Sequence, residues 1–407
     1  MSLDAFTGHA RGSAGYRRLL AGLFCAGIAT FAQIYSIQGV LPLIASDLAV
    51  SPSTAALTIS TATLGLAAAV IPWSLVADRI GRVPAMGIGI VSAAILGLIA
   101  PLASDIVLLL VLRLLEGVAL GAVPAVALAY LSEEISTRHA AAAAGSYVAG
   151  TTVGGLAGRL VAGSLGEMFD WRVGVWVVSL LCAVAAAAFL ALVPPAQGFV
   201  PGRLRSDGPG VVVRLLRPLR SSRQRVLYAQ GFLLMGAFIA MYNYLGFHLT
   251  APPFLLPSWV VTLLFLAYLA GTFSSPLAGS LAVRRGRYPV LLGTIALMAT
   301  GAALMLFPSA AMVLIGLLAF TAGFFGAHTI ASGWVPAAAE PESRAQASSL
   351  YYFAYYCGSS LFGWALGLVF GNASWSWFIG AVIGMCVLAA VLASVVLRPQ
   401  PTGAHPG

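Results

Sequence analysis

Long apolar segments occupy most of this 407-residue chain, and only short polar loops interrupt them. A helix that crosses the hydrocarbon core of a membrane needs ~20 mostly apolar residues. Division of the chain at charged residues and prolines predicts twelve such helices. The predicted spans are 19–43, 54–76, 84–101, 106–131, 140–165, 172–193, 226–247, 258–282, 289–307, 310–336, 346–370 and 375–397.

The composition excludes the water-soluble classes. Hydrophobic residues make up 60% of the chain and charged residues only 8%, whereas an ordinary soluble domain has about 25% charged residues. The formal net charge is +9, but all 21 basic residues are arginines and most lie in short loops, which argues against a nucleic-acid partner. The four cysteines lie within apolar segments, without CxxC or Cys/His clusters, so we expect no metal site, disulfide framework or cofactor.

The arginines are distributed very unevenly between the two sides of the membrane. Eighteen of them fall on the side that holds both termini and the even-numbered loops, and only Arg172 falls on the other side. Cytoplasmic loops retain arginine, so we expect a multi-pass protein of the plasma (inner) membrane with both termini in the cytoplasm. The predicted tails are 1–18 and 398–407.

The longest polar segment, 194–225, contains prolines, glycines and seven arginines. It predicts a cytoplasmic linker between two six-helix bundles at 19–193 and 226–397. Residues 211–217 fit an interfacial helix on the anionic inner leaflet, and a flexible tether whose arginines only fix topology explains them equally well.

The two halves of the chain resemble each other. A single shift of 205 residues aligns equivalent positions at two distant places, which indicates a duplicated six-helix unit. Parallel repeats of this kind are typical of transporters. The shift places 74–84 on 279–289, Tyr147 on Tyr352 and Gly158 on Gly363.

Several segments carry a family resemblance. Asp78-Arg79-Ile80-Gly81-Arg82 resembles the signature loop of the major facilitator superfamily, and Arg113-Leu114-Leu115-Glu116-Gly117 resembles the arginine motif of its fourth helix. Residues 154–159 with 170–172 are similar to the drug:proton antiporter branch. Further segments, at 238–246, 320–328 and 346–351, resemble the YnfM-type inner-membrane transport proteins of that superfamily.

This resemblance implies an all-α membrane protein with twelve transmembrane helices in two pseudo-symmetric six-helix bundles. It also implies a monomer that moves small solutes by rocker-switch alternating access. Asp78, Arg79, Gly81 and Arg82 would then form a cytoplasmic conformational latch, although plain topology signalling also explains their charges. Val283 replaces the aspartate in the second copy of the loop, so we expect a complete latch only in the first half.

Glu116 is the only one of the twelve carboxylates inside a predicted span. Arg113 lies three residues earlier, on a neighbouring position of the same helix face. We predict that Glu116 accepts a coupling proton and that Arg113 modulates it; a static buried ion pair is the alternative. His328, in span ten, is a further candidate for coupling or a structural hydrogen-bonding residue.

The remaining polar residues within spans are candidate solute contacts, led by Gln38 and Asn243. Helix–helix hydrogen bonds explain each of them as well. Arg159 would bind an anionic solute, pair with Glu116, or lie near an interface. The other candidates are Gln33, Tyr244 and Tyr352.

Glycines recur every four residues in span five, at Gly150, Gly154 and Gly158. This spacing predicts a seam for close helix approach. Gly117, in span four, is interpreted in the same way.

The sequence therefore favours a secondary active transporter that exports small organic or drug-like molecules in exchange for protons. A facilitator or proton symporter for a small anionic metabolite is the alternative, favoured by Arg113 and Arg159. An intramembrane enzyme would need a motif such as HExxH, which is absent. A sensor or scaffold descended from a transporter would not need the first latch and the polar interior.

Overall fold

The computed structural model describes residues 8–198, 217–340 and 343–398, and nearly all of them are helical. Short 3₁₀ segments occur at Ser36–Val40, Ala100–Leu102, Arg217–Arg220 and Leu264–Tyr268. The α-helices are α1 (Ala14–Tyr35), α2 (Leu41–Asp47), α3 (Pro52–Ile80), α4 (Arg82–Ile99), α5 (Ile106–Leu120), α6 (Ala122–Glu134), α7 (Thr137–Met168), α8 (Trp171–Leu192), α9 (Ser222–Thr250), α10 (Ser258–Leu263), α11 (Leu269–Arg285), α12 (Arg287–Leu304), α13 (Ala310–Ala337), α14 (Arg344–Asn372) and α15 (Trp375–Val396).

Eleven helical stretches in the described part of the chain are long and apolar enough to cross a membrane. Some combine two α-helices, as Ala14–Asp47 combines α1 and α2. Helix α7 has 32 residues but is not among the eleven, because its many glycines and Arg159 lower its mean hydropathy. At 1.5 Å per residue it is long enough to span a bilayer, and it occupies the place of the predicted fifth span.

Large apolar side chains lie exposed along the helices. Val107, Phe273 and Val395 are 66%, 77% and 77% exposed. A contiguous surface of this kind would be unfavourable in water, but it matches the hydrocarbon core of a bilayer.

The described residues fall into two compact units. The first comprises the described residues within Met1–Gly208, Tyr242–Phe265 and Gly363–Gly371. The second comprises the described residues within Pro209–Met241, Leu266–Phe362 and Asn372–Gly407. The last part of α9 and the last part of α14 thus pack within the first unit, and the division predicted from the sequence, at 194–225, stays a prediction.

The first unit has an apolar core built from several helices. Leu19 and Leu23 of α1 are fully buried with Met86 of α4, Val123 of α6 and Phe189 of α8. Burial of a leucine or phenylalanine side chain stabilises a structure by about 1.5–3 kcal/mol in water, but in a bilayer the gain comes from close packing instead.

Close packing is most evident between α1 and α7. A Cβ atom at Gly150 would lie 2.2 Å from the carbonyl oxygen of Phe24, and one at Gly158 would lie 2.5 Å from that of Ala32. A Cβ atom at Gly154 would lie 2.7 Å from the carbonyl oxygen of Ile28. Gly117 of α5 approaches the backbone of α3 at Ala62 in the same way.

The repeated signature loops have the same backbone conformation. Gly81 ends α3 with φ +101° and ψ 159°, and Gly286 ends α11 with φ +87° and ψ 157°. A residue with a Cβ atom rarely adopts this conformation. The two loops are 205 residues apart, so the repeat that the sequence predicts recurs in the backbone geometry.

The turn on the predicted outer side between α4 and α5 is fixed by a helix cap. The carboxylate of Asp105 accepts a hydrogen bond from the Leu108 N–H at 3.0 Å and begins α5. That backbone hydrogen bond lowers the pKa of Asp105.

A second contact, the ion pair of Arg172 with Asp47 at 2.7 Å, joins the start of α8 to the end of α2.

The glycine seam predicts a large difference between two glycine-to-alanine substitutions in α7. Gly150→Ala should destabilise the protein by about 1–3 kcal/mol, because the added methyl group overlaps the Phe24 carbonyl. Gly145→Ala is the matched control, since nothing lies within 4 Å of its Cβ position, and alanine favours a helix by up to ~1 kcal/mol. Thermal unfolding in detergent measures both, and equal shifts in Tm would contradict the packing.

Candidate functional site

The first span is not a continuous α-helix. Helix α1 ends at Tyr35, a 3₁₀ segment follows over Ser36–Val40, and α2 begins at Leu41. The last carbonyl groups of an α-helix have no donor within the helix. The carbonyl oxygens of Gln33 and Ile34 are therefore available, inside the protein, to an outside donor.

Arg113 of α5 supplies that donor. Its Nη2 donates to the Ile34 carbonyl at 2.5 Å, and its Nη1 donates to the Gln33 carbonyl at 3.3 Å. Its Nε donates to the Thr58 carbonyl of α3 at 3.2 Å. One guanidinium group thus joins α1, α3 and α5.

Glu116 neutralises this charge. Arg113 Nη1 donates to Glu116 Oε2 at 2.5 Å, and both side chains are fully buried. The i,i+3 arrangement that the sequence predicts is present. A charge at the centre of a bilayer costs ~2.5–3.5 kcal/mol on insertion scales, and this contact is the direct compensation for both.

Two buried acceptors next to this pair have no donor. Neither Glu116 Oε1 nor Gln33 Oε1 has a hydrogen-bond partner among the described residues, and the two side chains lie beside each other. The amide nitrogen of Gln33 donates to the Ser179 hydroxyl at 3.1 Å. A protonated carboxyl group has an O–H that can donate, so one proton on Glu116 would provide the missing donor.

A second polar network lies in the first unit. Arg159 Nε of α7 donates to Gln38 Oε1 at 2.6 Å, and Gln38 Nε2 donates to Asn243 Oδ1 of α9 at 2.7 Å. Asn243 Nδ2 then donates to the Gly363 carbonyl of α14 at 3.3 Å. Tyr244 donates to the same carbonyl at 2.7 Å, so this network fixes four helical segments.

Gln38 and Asn243 are equivalent positions of the internal repeat. They are 205 residues apart, the same shift that relates the two signature loops. Their partners are related as well. Gln38 bonds to Arg159, whose equivalent position in the second repeat is Trp364, and Asn243 bonds to the carbonyl of the preceding residue, Gly363. The constant shift in the sequence could have identified this contact, but the two residues were predicted separately, as solute contacts or as helix–helix hydrogen-bonding residues.

Arg159 has described contacts with protein groups on several sides. Besides Gln38, its Nη1 donates to the Gly155 carbonyl at 2.6 Å, and its Cζ lies 4.1 Å from the centre of the Tyr35 ring. Glu116 pairs with Arg113 and not with Arg159. The structure therefore brings Arg159 together with Gln38 and Asn243.

A pocket with about 570 Å³ of open space adjoins this network in the first unit. The polar groups on its wall are hydroxyls and amides, and its remaining lining is mostly apolar. The lining includes Gln38, Tyr242, Asn243, Thr250, Ser258, Thr262 and Phe265.

His328 lies in the second unit, in an aromatic cluster. Its Nδ1 is 3.0 Å from the Tyr351 hydroxyl, and its ring lies 5.0 Å from that of Tyr355. Phe324 stacks on the histidine at 6.0 Å. Tyr352 borders the cluster and is 39% exposed.

The signature loop forms an ion-pair network with the end of α6. Arg82 donates to Asp78 Oδ1 at 2.6 Å and to Glu133 Oε1 at 2.8 Å. Gly81 provides the turn between α3 and α4, and Arg79 is exposed. Glu133 was not predicted as a site residue, because it lies 51 residues from Arg82 and no local pattern joins them.

Over the described ranges, no three His, Cys, Asp or Glu side chains are grouped so that they could hold a metal ion.

Comparison with known proteins identifies relatives along almost the whole chain. The sequence profile described as Major Facilitator Superfamily matches residues 23–258 and 250–407. The chain is 36% identical to the inner membrane transport protein YnfM of Escherichia coli over 388 residues, covering 95% of this chain and 92% of that one. It is 26% identical to the multidrug resistance protein MdtL of Escherichia coli over 379 residues, covering 90% and 92%.

Solved structures share the fold at low sequence identity. A bacterial homologue of the human lysosomal transporter Spinster superposes with a TM-score of 0.76 at 17% identity, covering 96% of this chain and 100% of that one. These comparisons confirm the family resemblance and the all-α membrane fold that the sequence predicts.

The repeat-related amide pair predicts a measurable coupling. Gln38→Met and Asn243→Leu each remove one partner at nearly constant volume. The double variant should show a coupling energy of about 0.6–1.7 kcal/mol, the range found for hydrogen bonds between membrane helices. Unfolding in detergent is the measurement. As a control, Asn243→Leu is combined with Gln230→Met, because Gln230 bonds to the distant Ala389 carbonyl. The changes in unfolding free energy of these two variants should be additive. A coupling energy of zero between Gln38 and Asn243 would contradict the network.

Proposed function

We propose a proton-coupled export cycle for this chain, which belongs to the Major Facilitator Superfamily and is a secondary transporter of small solutes rather than an enzyme. In the proposed cycle, Glu116 alternately binds a proton and releases it as the protein exposes a solute site first to one side of the membrane and then to the other. The protein acts as a monomer in the plasma (inner) membrane, with both termini in the cytoplasm. The transported solutes are small, organic and drug-like.

The observation that carries the proposal is the buried acceptor pair. Glu116 Oε1 and Gln33 Oε1 are both buried without a hydrogen-bond partner among the described residues, on two side chains that lie beside each other, and Arg113 bonds only one oxygen of the carboxylate. An unsatisfied buried acceptor costs about 1–3 kcal/mol, so the arrangement rewards protonation of Glu116. When the carboxylate charge is lost, its contact with Arg113 within α5 weakens, and the buried guanidinium group keeps only the carbonyl acceptors of α1 and α3, so the energetics of the junction between these helices change with the protonation of Glu116.

The solute class is supported by two observations. MdtL, a multidrug resistance protein, matches most of the chain. The cluster around His328 presents Phe324, Tyr351 and Tyr355 to one another, and aromatic faces attract apolar rings and organic cations. The anionic-metabolite alternative rests on Arg113 and Arg159, and both guanidinium groups are engaged by carbonyl, amide and carboxylate groups of the protein.

The alternating-access step is assigned to two sets of contacts. The bonds from Arg159 through Gln38 to Asn243 hold the predicted outer side closed. The latch of Asp78, Arg79, Gly81 and Arg82, completed by Glu133, is assigned to the predicted cytoplasmic side, where it joins α3, α4 and α6. Gly117, Gly150, Gly154 and Gly158 let α5 and α7 move as rigid bodies with their partners, and Gln33, Tyr244 and Tyr352 complete the polar and aromatic surfaces.

Transport in proteoliposomes tests the proton coupling. With ethidium as an aromatic cationic solute, an imposed pH gradient should accelerate flux through the wild-type protein. Glu116→Gln should reduce that flux to the rate measured without a gradient, because its side chain cannot exchange a proton, while ethidium binding persists.

Glu167→Gln is the matched control, since Glu167 is exposed at the end of α7, and it should behave as wild type. Gradient-driven flux that survives unchanged in Glu116→Gln would remove that residue from the mechanism. Flux of succinate but not of ethidium would instead support the anionic-metabolite alternative.

A further inference from the structure

Helix α6 ends, on the predicted cytoplasmic side, with two acidic residues that have different surroundings. Glu133 pairs with Arg82 in the latch, at 2.8 Å. Glu134 is completely buried. Consecutive helical residues point about 100° apart, so the same last turn of α6 serves two contacts at once.

Glu134 binds the first residues of the segment that connects the two halves of the sequence. Its Oε1 accepts the backbone N–H groups of Gln197 and Gly198, at 2.7 and 2.6 Å. One turn earlier on the same face, the Tyr130 hydroxyl donates to the Pro194 carbonyl at 2.6 Å. Residues 194–198 therefore dock along one face of α6.

The docked segment also touches the backbone of the latch residue. A Cβ atom at Gly198 would lie 2.2 Å from the Glu133 carbonyl oxygen. Only glycine permits this approach, and any displacement of Gly198 changes the space around the last turn of α6.

The N-terminal segment holds the same turn from another side. The backbone N–H of His9 donates to the Glu134 carbonyl at 2.8 Å, which supplies a donor for one of the last helical carbonyls. A Cβ atom at Gly8, whose φ is +92°, would lie 2.7 Å from the backbone nitrogen of Ser136. The end of α6 is thus fixed by chain segments from before α1 and after α8.

We propose that docking of residues 194–198 on Glu134 positions Glu133 for Arg82, so that the latch and the start of the linker form one coupled unit. Glu134 is a positioning residue that acts through Glu133. This role is separate from the transport cycle, because the start of the linker helps to position the latch and does not serve only as a tether. By reciprocity, release of the latch must also loosen the linker.

Hydrogen–deuterium exchange tests this reciprocity without any transported solute. The amides of Gln197 and Gly198 are the donors to Glu134, so a peptide that contains them reports docking in the full-length protein in nanodiscs. Glu134→Gln should accelerate their exchange directly. Glu133→Gln, which leaves both donors and their acceptor in place, should accelerate it by about 5-fold or more, the usual lower range of coupling between sites.

Arg82→Gln breaks the latch from its other side and should give the same acceleration, which guards against a folding defect in one variant. Glu167→Gln is the control, because Glu167 is exposed at the end of α7, away from the latch and the linker, and it should leave the exchange unchanged. The proposal is overturned if the two latch variants exchange at the wild-type rate, if Glu134→Gln has no effect, or if Glu167→Gln accelerates exchange equally.

Discussion

The burial of one guanidinium group determines much of the architecture around it. Arg113 is completely buried in a chain whose surroundings are lipid, so each of its donors needs an acceptor within the protein. The break in the first span provides carbonyl groups at Gln33 and Ile34, α3 provides the Thr58 carbonyl, and α5 itself provides Glu116. The 3₁₀ segment after Tyr35 is therefore part of the charge compensation. Since three helices meet at Arg113, a change in the charge of its partner Glu116 alters the charge compensation at the point where they meet.

The internal duplication explains a second part of the structure. Gln38 and Asn243 occupy equivalent positions of the two repeats and bond to each other. The symmetry is then broken at the next contact, where Arg159 has Trp364 as its counterpart in the second repeat. Arg159 donates to the oxygen of Gln38, so the amide nitrogen of Gln38 must face Asn243. The presence of arginine in one repeat and tryptophan at the equivalent position of the other thus determines which amide donates and which accepts between Gln38 and Asn243.

Much of this could be predicted from the sequence, because the signals are local or periodic. The apolar spans, the i,i+3 pair of Arg113 and Glu116, the glycine spacing of α7 and the repeated signature loop all depend on short segments. The partners of those segments could not be predicted. Glu133 meets Arg82 only through the packing of α6 on α4. Gln33 was predicted to contact the solute; in the structure its side chain donates to Ser179 and its carbonyl group accepts from Arg113, contacts between distant helices that no local pattern indicates. The mean hydropathy of α7 is also lower than that of the other spans, because its glycines and Arg159 contact neighbouring helices and not lipid.

The central claim is that Glu116 binds and releases the coupling proton. In an exchange of solute for protons, that proton must leave when the solute binds. The most direct measurement is the number of protons released into a weakly buffered detergent solution when a transported solute is added to the purified protein. The account predicts release of about one proton per molecule from the wild-type protein and none from Glu116→Gln at a solute concentration that saturates both. Equal release from the two proteins would contradict it.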